Sequence, residues 1–200
     1  MNKNPVGRPK KGQESVTRSD IVTAGLDILK TGGERSLTMR GLAKSLSVTP
    51  MALYHHTGNR EELIQVLADA VYDNVLDNLP KDDSPFERIQ ALLMAYCERV
   101  AIFPELTLCI FREPSAFAGQ VKRITESLHG ELVATKLPAK SINIWLDVLV
   151  DYTHGHALAQ SVQTSSDTAG SMTTGDYQAG VRLLLRLLTA QIEAEQKNDL

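Results

Sequence analysis

The stretch Leu37-Thr38-Met39-Arg40-Gly41-Leu42-Ala43-Lys44-Ser45-Leu46-Ser47-Val48-Thr49-Pro50-Met51-Ala52-Leu53-Tyr54-His55-His56 decides the fold. Thr38 suits a helix N-cap, and Leu42, Ala43 and Leu46 then share one helical face. Ser47-Val48 leaves room for no more than a tight turn. Thr49 suits a second cap, and Pro50 fits the first helical position, where its missing N–H costs nothing. Two short helices, over about 39–46 and 50–56, therefore meet through Leu42, Ala43, Leu46, Val48 and Leu53. This is the spacing of a helix-turn-helix, whose second helix enters the major groove of DNA. A generic three-helix bundle has the same periodicity.

The polar residues bear on that choice. Thr49, Met51, Tyr54, His55 and His56 leave the second helix short and almost uncharged. A hydroxyl or phenol can donate to phosphate, and Met or Ala can touch a thymine methyl. Arg40, Lys44 and Arg60 flank this surface and suit phosphate contact.

Outward from this core the chain reads as helix almost throughout. Thr17, with Asp20 three positions on, opens a helix over about 18–31 that Gly32-Gly33 ends. Asn59 and Glu62 form a capping box for a helix running to about 79. Ser84-Pro85 with Glu87 starts one over about 85–102, which Pro104 closes. Further helices are expected at about 105–111, 116–136 and 139–160. A polar loop follows over 161–173, and Thr173 with Asp176 starts a last helix to about 195. The expected class is all-α, with a three-helix helix-turn-helix domain followed by a helical ligand-binding and dimerisation domain. The boundaries are a basic arm over 1–16, a DNA-binding domain over 17–62 and a regulatory domain over 63–200, the helix to about 79 serving as connector.

Charge agrees with this division. Residues 1–60 hold ten Lys or Arg against four Asp or Glu, a balance of +6, while residues 61–200 hold eleven against twenty, a balance of -9. A basic front and acidic rear place a polyanion footprint at the front. In the arm, Gly7-Arg8-Pro9-Lys10 has the form of an AT-hook core, since Arg fits a narrow minor groove. A solvated basic tail with nonspecific phosphate attraction is the alternative. Nothing in the first residues forms a signal peptide, and no apolar run nears the ~18 residues of a membrane span. The expectation is a cytoplasmic protein with no membrane partner. Cys97 and Cys109 fall in apolar surroundings and read as buried free thiols. His154 and His156 stand two apart, so they cannot share a helix face as metal ligands. No nucleophile–base pair or cofactor loop is present, and neither enzyme chemistry, a metal nor a cofactor is expected.

The stretch Leu37–Val48, then Ala52-Leu53-Tyr54-His55-His56 and Asn59-Arg60-Glu61-Glu62-Leu63, resembles the signature of the TetR family of bacterial repressors. The Leu-Thr-Met-Arg and Leu-Tyr-x-His versions lean toward its tetracycline-repressor-like branch. The resemblance covers about residues 18–68. It implies that Tyr54 and His56 hold the DNA backbone beside Thr38 and Arg60, and that Thr49, Pro50, Met51 and His55 face bases. There are two departures. Ser47 stands where the family often has Gly, and a positive φ costs Ser more than Gly. Thr57 stands where an aromatic or apolar residue is usual.

The rear is read from apolar breadth. In the last helix Leu183, Leu185 and Leu187 widen a stripe of Tyr177, Val181, Leu184 and Leu188, more than one buried face requires. The resemblance implies that the last two helices pair with their twins. The expected homodimer interface holds Leu149, His156, Tyr177, Val181, Leu184 and Leu188. A symmetric dimer matches a palindromic operator on double-stranded DNA. Met94, Cys97, Phe103, Phe111, Phe117, His129, Trp145 and Tyr152 could line a cavity for an unidentified small-molecule effector, or fill a solid core. The expected function is a homodimeric repressor released from its operator by a small apolar ligand. The alternative is an activator, or an architectural DNA-binding protein without an inducer.

Overall fold

The computed structural model describes residues 16–77, 79–81, 83–163 and 173–198. The arm residues Arg8 and Lys10 lie outside these, as does most of the expected loop over 161–173. Among the described residues the regular structure is helical: α1 (Arg18–Gly32), α2 (Met39–Ser45), α3 (Pro50–Thr57), α4 (Arg60–Tyr72), α5 (Pro85–Ile102), α6 (Pro104–Arg112), α7 (Gly119–Ala134), α8 (Ala139–Gln163) and α9 (Thr174–Asn198). None of these is long and apolar enough to cross a membrane.

Local chemistry sets the helix starts. Thr17 and Asp20 exchange bonds at the head of α1, Ser84 and Glu87 at the head of α5, and Thr173 and Asp176 at the head of α9. At α4 the bond runs one way, from the Glu62 N–H to Asn59 Oδ1 at 2.9 Å, while the Glu62 carboxylate lies beside Gly58. The capping partner of α7 comes from elsewhere in the chain. Ala118 offers no side-chain acceptor, and Asp69 on α4 takes the Gln120 N–H at 2.9 Å.

Three expected boundaries move. The stripe to about 79 does not stay helical: α4 ends at Tyr72, and Val75 N–H bonds back to Tyr72 O at 3.2 Å in a tightened turn. Val75 is still buried, so the apolar spacing is real although the backbone carrying it is a turn. The helix expected from 116 starts at Gly119, because Pro114–Ala116 forms a 3-10 turn. Residues 161–163, expected in a loop, extend α8.

One apolar core runs from Ile21 to Ile192. In front, α1 crosses α4 so closely that a Cβ at Gly25 would stand 2.9 Å from Leu67 Cδ2, so this contact favours glycine. Between α2 and α3, Ser47 takes φ 55, the positive value its position suggests, and Val48 N–H closes the turn on Ala43 O at 2.9 Å. Behind, α5 packs chiefly on α8, and Tyr177 knits three helices, bonding Thr153 Oγ1 at 2.7 Å and Leu93 O at 3.2 Å.

Candidate nucleic-acid interface and regulatory cavity

On α3 the inner face belongs to Leu53 and Thr57, four residues apart and both buried. At about 100° per residue that turns Met51, Tyr54 and His55 outward. Met51 is 66% exposed and Tyr54 47%, and Thr49, Pro50, His55 and His56 are exposed with them. Thr49 Oγ1 accepts the Ala52 N–H at 3.1 Å, and Thr38 Oγ1 accepts the Gly41 N–H at 3.0 Å. Each hydroxyl keeps its own proton for an outside acceptor. Arg40 and Lys44, four apart on α2, are exposed and carry no ion pair among the described residues. The surface therefore offers hydroxyls, imidazoles, a phenol and two unneutralised cations beside a projecting methionine. Thr57 keeps its place in the core by returning its hydroxyl to Leu53 O at 3.2 Å, so the non-apolar residue there is satisfied.

Arg60 does not join this surface, contrary to its expected phosphate role. Its Nε donates to Leu37 O at 3.2 Å, and Nη1 meets Glu113 Oε1 at 2.7 Å. As the first residue of α4 it sits against the end of α6, where a carboxylate claims its charge. Arg112 makes a parallel pair with Glu34 at 3.2 Å. Two ion pairs thus clasp the end of α6 to the front domain.

Behind the clasp lies a cavity of about 370 Å³ between α5, α6, α7 and α8. Leu92, Ile110, Val121, Ile124, Leu128 and Val150 give it aliphatic walls, and Phe111 and Phe117 give it aromatic ones. Its polar side chains are Tyr96, Thr107, Thr125 and His154, and among the described residues no Asp, Glu, Lys or Arg lines it. Tyr96 Oη lies 2.8 Å from His154 Nε2, and the Phe111 ring meets the imidazole edge-on at 4.9 Å. Burial pushes the Tyr96 hydroxyl well above its ordinary pKa. Burial also lowers that of His154, against the pull of Asp151. Both groups are therefore neutral near pH 7, a phenol beside an uncharged imidazole.

Of the residues expected in such a cavity, Phe111 and Phe117 line it. Met94 and Cys97 line a different hollow, between α5, α8 and α9. Phe103 lies under Lys30, whose Nζ is 4.6 Å from the ring centre, and His129 is exposed. Trp145 Nε1 donates to Gln191 Oε1 at 2.8 Å, and Tyr152 stacks on Tyr177. Trp145 and Tyr152 stand seven apart and share the α8 face turned to α9, whereas Val150 and His154 form the face turned to the cavity. The missed signal was His154 itself, a polar residue four after the apolar Val150 on a helix whose apolar face is broad.

No family model matches the chain. An HTH-type transcriptional regulator of Saccharopolyspora erythraea is 27% identical over 169 residues, covering 82% of this chain and 70% of its own. The transcriptional regulator SCO7222, a TetR from Streptomyces coelicolor, superposes with a TM-score of 0.68 at 25% identity, covering 88% of this chain and 99% of its own. BioQ of Mycobacterium smegmatis does so with a TM-score of 0.71 at 25% identity, with the same coverage. In fold and in sequence the chain is similar to regulators of the TetR family. It is a transcriptional regulator of the helix-turn-helix type, and its relatives are regulators and not enzymes.

The outer face of α8 and α9 differs from the expected set. Leu149, His156, Tyr177, Val181 and Leu188 are buried within the chain's own core, and Leu184 is half-buried. A face that is already buried cannot also meet a partner. The exposed apolar side chains are Ile144 and Val148 on α8 and Leu183 and Leu187 on α9, each pair four residues apart.

Proposed function

We propose that this protein is a cytoplasmic, homodimeric repressor that holds a palindromic operator through α2 and α3 and releases it when a small, uncharged, mostly apolar molecule enters the cavity beside Tyr96 and His154. In this reading residues 17–62 are the DNA-binding domain and 63–200 the regulatory and dimerisation domain. Arg40, Lys44, Thr38, Tyr54 and His56 hold phosphates. Thr49, Pro50, Met51 and His55 reach base edges or thymine methyls. The twin chain covers Ile144, Val148, Leu183 and Leu187, which a lone chain leaves in water. Among related folds, BioQ has been crystallised with its natural double-stranded DNA operator, and ActR of Streptomyces coelicolor with (S)-DNPA.

The observation that carries the reading is the double duty of α6. Ile110 and Phe111 line the cavity, while the next two residues, Arg112 and Glu113, grip Glu34 and Arg60 of the front domain. An occupant that shifts Phe111 therefore shifts the clasp. Such a ligand must prefer the arrangement in which the two heads no longer fit DNA, because equal affinity for both arrangements changes nothing. The cavity favours this reading over an architectural protein, which has no use for one. The test is a screen of uncharged aromatic and aliphatic compounds for loss of operator binding, repeated on Leu128→Trp, which fills the cavity. Compounds that release the wild type and not the filled variant support the reading. Release that persists in the filled variant contradicts it.

A further inference from the structure

On α5, Leu92 and Tyr96 face the cavity just described, and Met94, Glu98 and Ala101 lie about half a turn away around the helix. That opposite face, with α8 and α9, encloses a second hollow of about 410 Å³. Met94, Ala101 and Ile102 form its apolar side, and His156 and Tyr177 its aromatic side.

His156 is the feature that points to a ligand. It is 3% exposed, it lines the hollow, and its Nδ1 has no hydrogen-bond partner among the described residues. Buried polar atoms are almost always paired, so an imidazole that lines a hollow with hydrogen-bonding capacity left over suits a bound polar group. Burial lowers the His156 pKa, against the pull of Asp176, so the ring is uncharged near pH 7 and one nitrogen can accept. The Tyr177 ring lies 4.9 Å from the imidazole, centre to centre. Among the described residues Glu98 is the charged one of the lining, and no Lys or Arg joins it. A carboxylate ligand would be repelled. An ammonium group would find an anion, an imidazole acceptor and an aromatic face together.

We propose that this hollow is a second small-molecule site, for a primary amine with an apolar body, whose N–H donates to the His156 imidazole while its charge faces Glu98. The site is separate from the Tyr96–His154 cavity and does not depend on the role given to it.

The test is calorimetric titration of the full chain with three probes of one shape: 2-phenylethylamine, 2-phenylethanol and phenylacetate. The amine is expected to saturate at one per chain, the alcohol to bind at least tenfold more weakly, and the acid not at all. Glu98→Gln, at an exposed position, is expected to weaken the amine about tenfold and leave the alcohol unchanged. His156→Phe is expected to abolish binding of both, with circular dichroism reporting whether it folds. If it does not fold, the Glu98→Gln comparison decides. Filling the other cavity with Thr125→Trp is expected to leave the amine's affinity as it was. Equal binding of all three probes, no binding of the amine at millimolar concentration, loss of the amine in Thr125→Trp, or no change in Glu98→Gln would each overturn the proposal.

Discussion

Arg60 Nη1 lies 2.7 Å from Glu113 Oε1, joining the first residue of the helix behind the reading head to the residue that caps the helix flooring the cavity. The pair is about one-third exposed, so its contribution to stability is small, about 1 kcal/mol or less. Its place between two functional parts matters more. Glu113→Gln is expected to change the melting temperature little and to leave operator affinity without ligand near wild type. Ligand-driven release should fall by roughly 5–10-fold, a coupling loss at the lower end of the ordinary ~1–3 kcal/mol range. Operator titrations with and without ligand check this. Unaltered release would remove the pair from the transmission path.

Ser47 carries the positive φ of the helix-turn-helix turn at 55°. A left-handed conformation costs a non-glycine residue ~1–2 kcal/mol. Ser47→Gly is therefore expected to raise stability by about 1 kcal/mol, or about 2–4 °C in Tm for a chain of this size. Differential scanning calorimetry checks it, and a lower Tm would show that the serine side chain contributes more than its backbone costs.

On the outer face, Leu183 and Leu187 are 59% and 53% exposed, whereas Leu188 is fully buried. Leu187→Glu is expected to give a folded monomer, because the charge enters water in the lone chain and a desolvated interface in the dimer. Leu188→Glu is expected to unfold the chain, since burying an unpaired charge costs several kcal/mol. Sedimentation velocity with circular dichroism separates the two outcomes. A Leu187→Glu chain that still sediments as a dimer would place the interface elsewhere.

Burial pushes both thiols, Cys97 and Cys109, up to about 11. An ordinary thiol near pKa 8.5 is about a quarter thiolate at pH 8, and one at 11 is about a thousandth. Reaction with a disulfide reagent at pH 8 is expected to be at least a hundredfold slower in the native protein than in denaturant. Because the folded state favours the protonated thiol, the stability linked to it is complete below about pH 8.5 and is lost as pH rises through about 11. Fast native labelling would contradict the burial of both residues.

Much of this was legible in the sequence where the physics is local. A cap needs an acceptor and a partner three residues on, so Thr17 with Asp20, Ser84 with Glu87, and Thr173 with Asp176 could be read directly. The turn at Ser47 was legible for the same reason. The partner of Arg60 was not, because Glu113 lies 53 residues away. Nor was the cavity-facing side of α8. Its apolar residues cover well over half of the helix, leaving Asn143, Asp147 and Asp151 as a polar stripe, so periodicity does not say whether Trp145 or His154 faces the hollow. From Leu183 to Leu188 all but Arg186 are leucine, and one step of 100° exchanges a buried residue for an exposed one. That step separates the expected Leu188 from the exposed Leu187.

The central claim is that α3 reads a palindrome while α2 holds its backbone, and selection of binding sites from a random DNA pool tests it most directly. Wild type, His55→Ala and Lys44→Ala would be selected in parallel. The wild type is expected to enrich a two-fold symmetric site. Lys44→Ala should enrich the same site, with weaker affinity and a shallower salt dependence, because a phosphate contact carries no sequence information. His55→Ala should relax the preference at the base positions it touches. A wild-type pool without a symmetric consensus, or a His55→Ala pool identical to that of the wild type, would contradict the account.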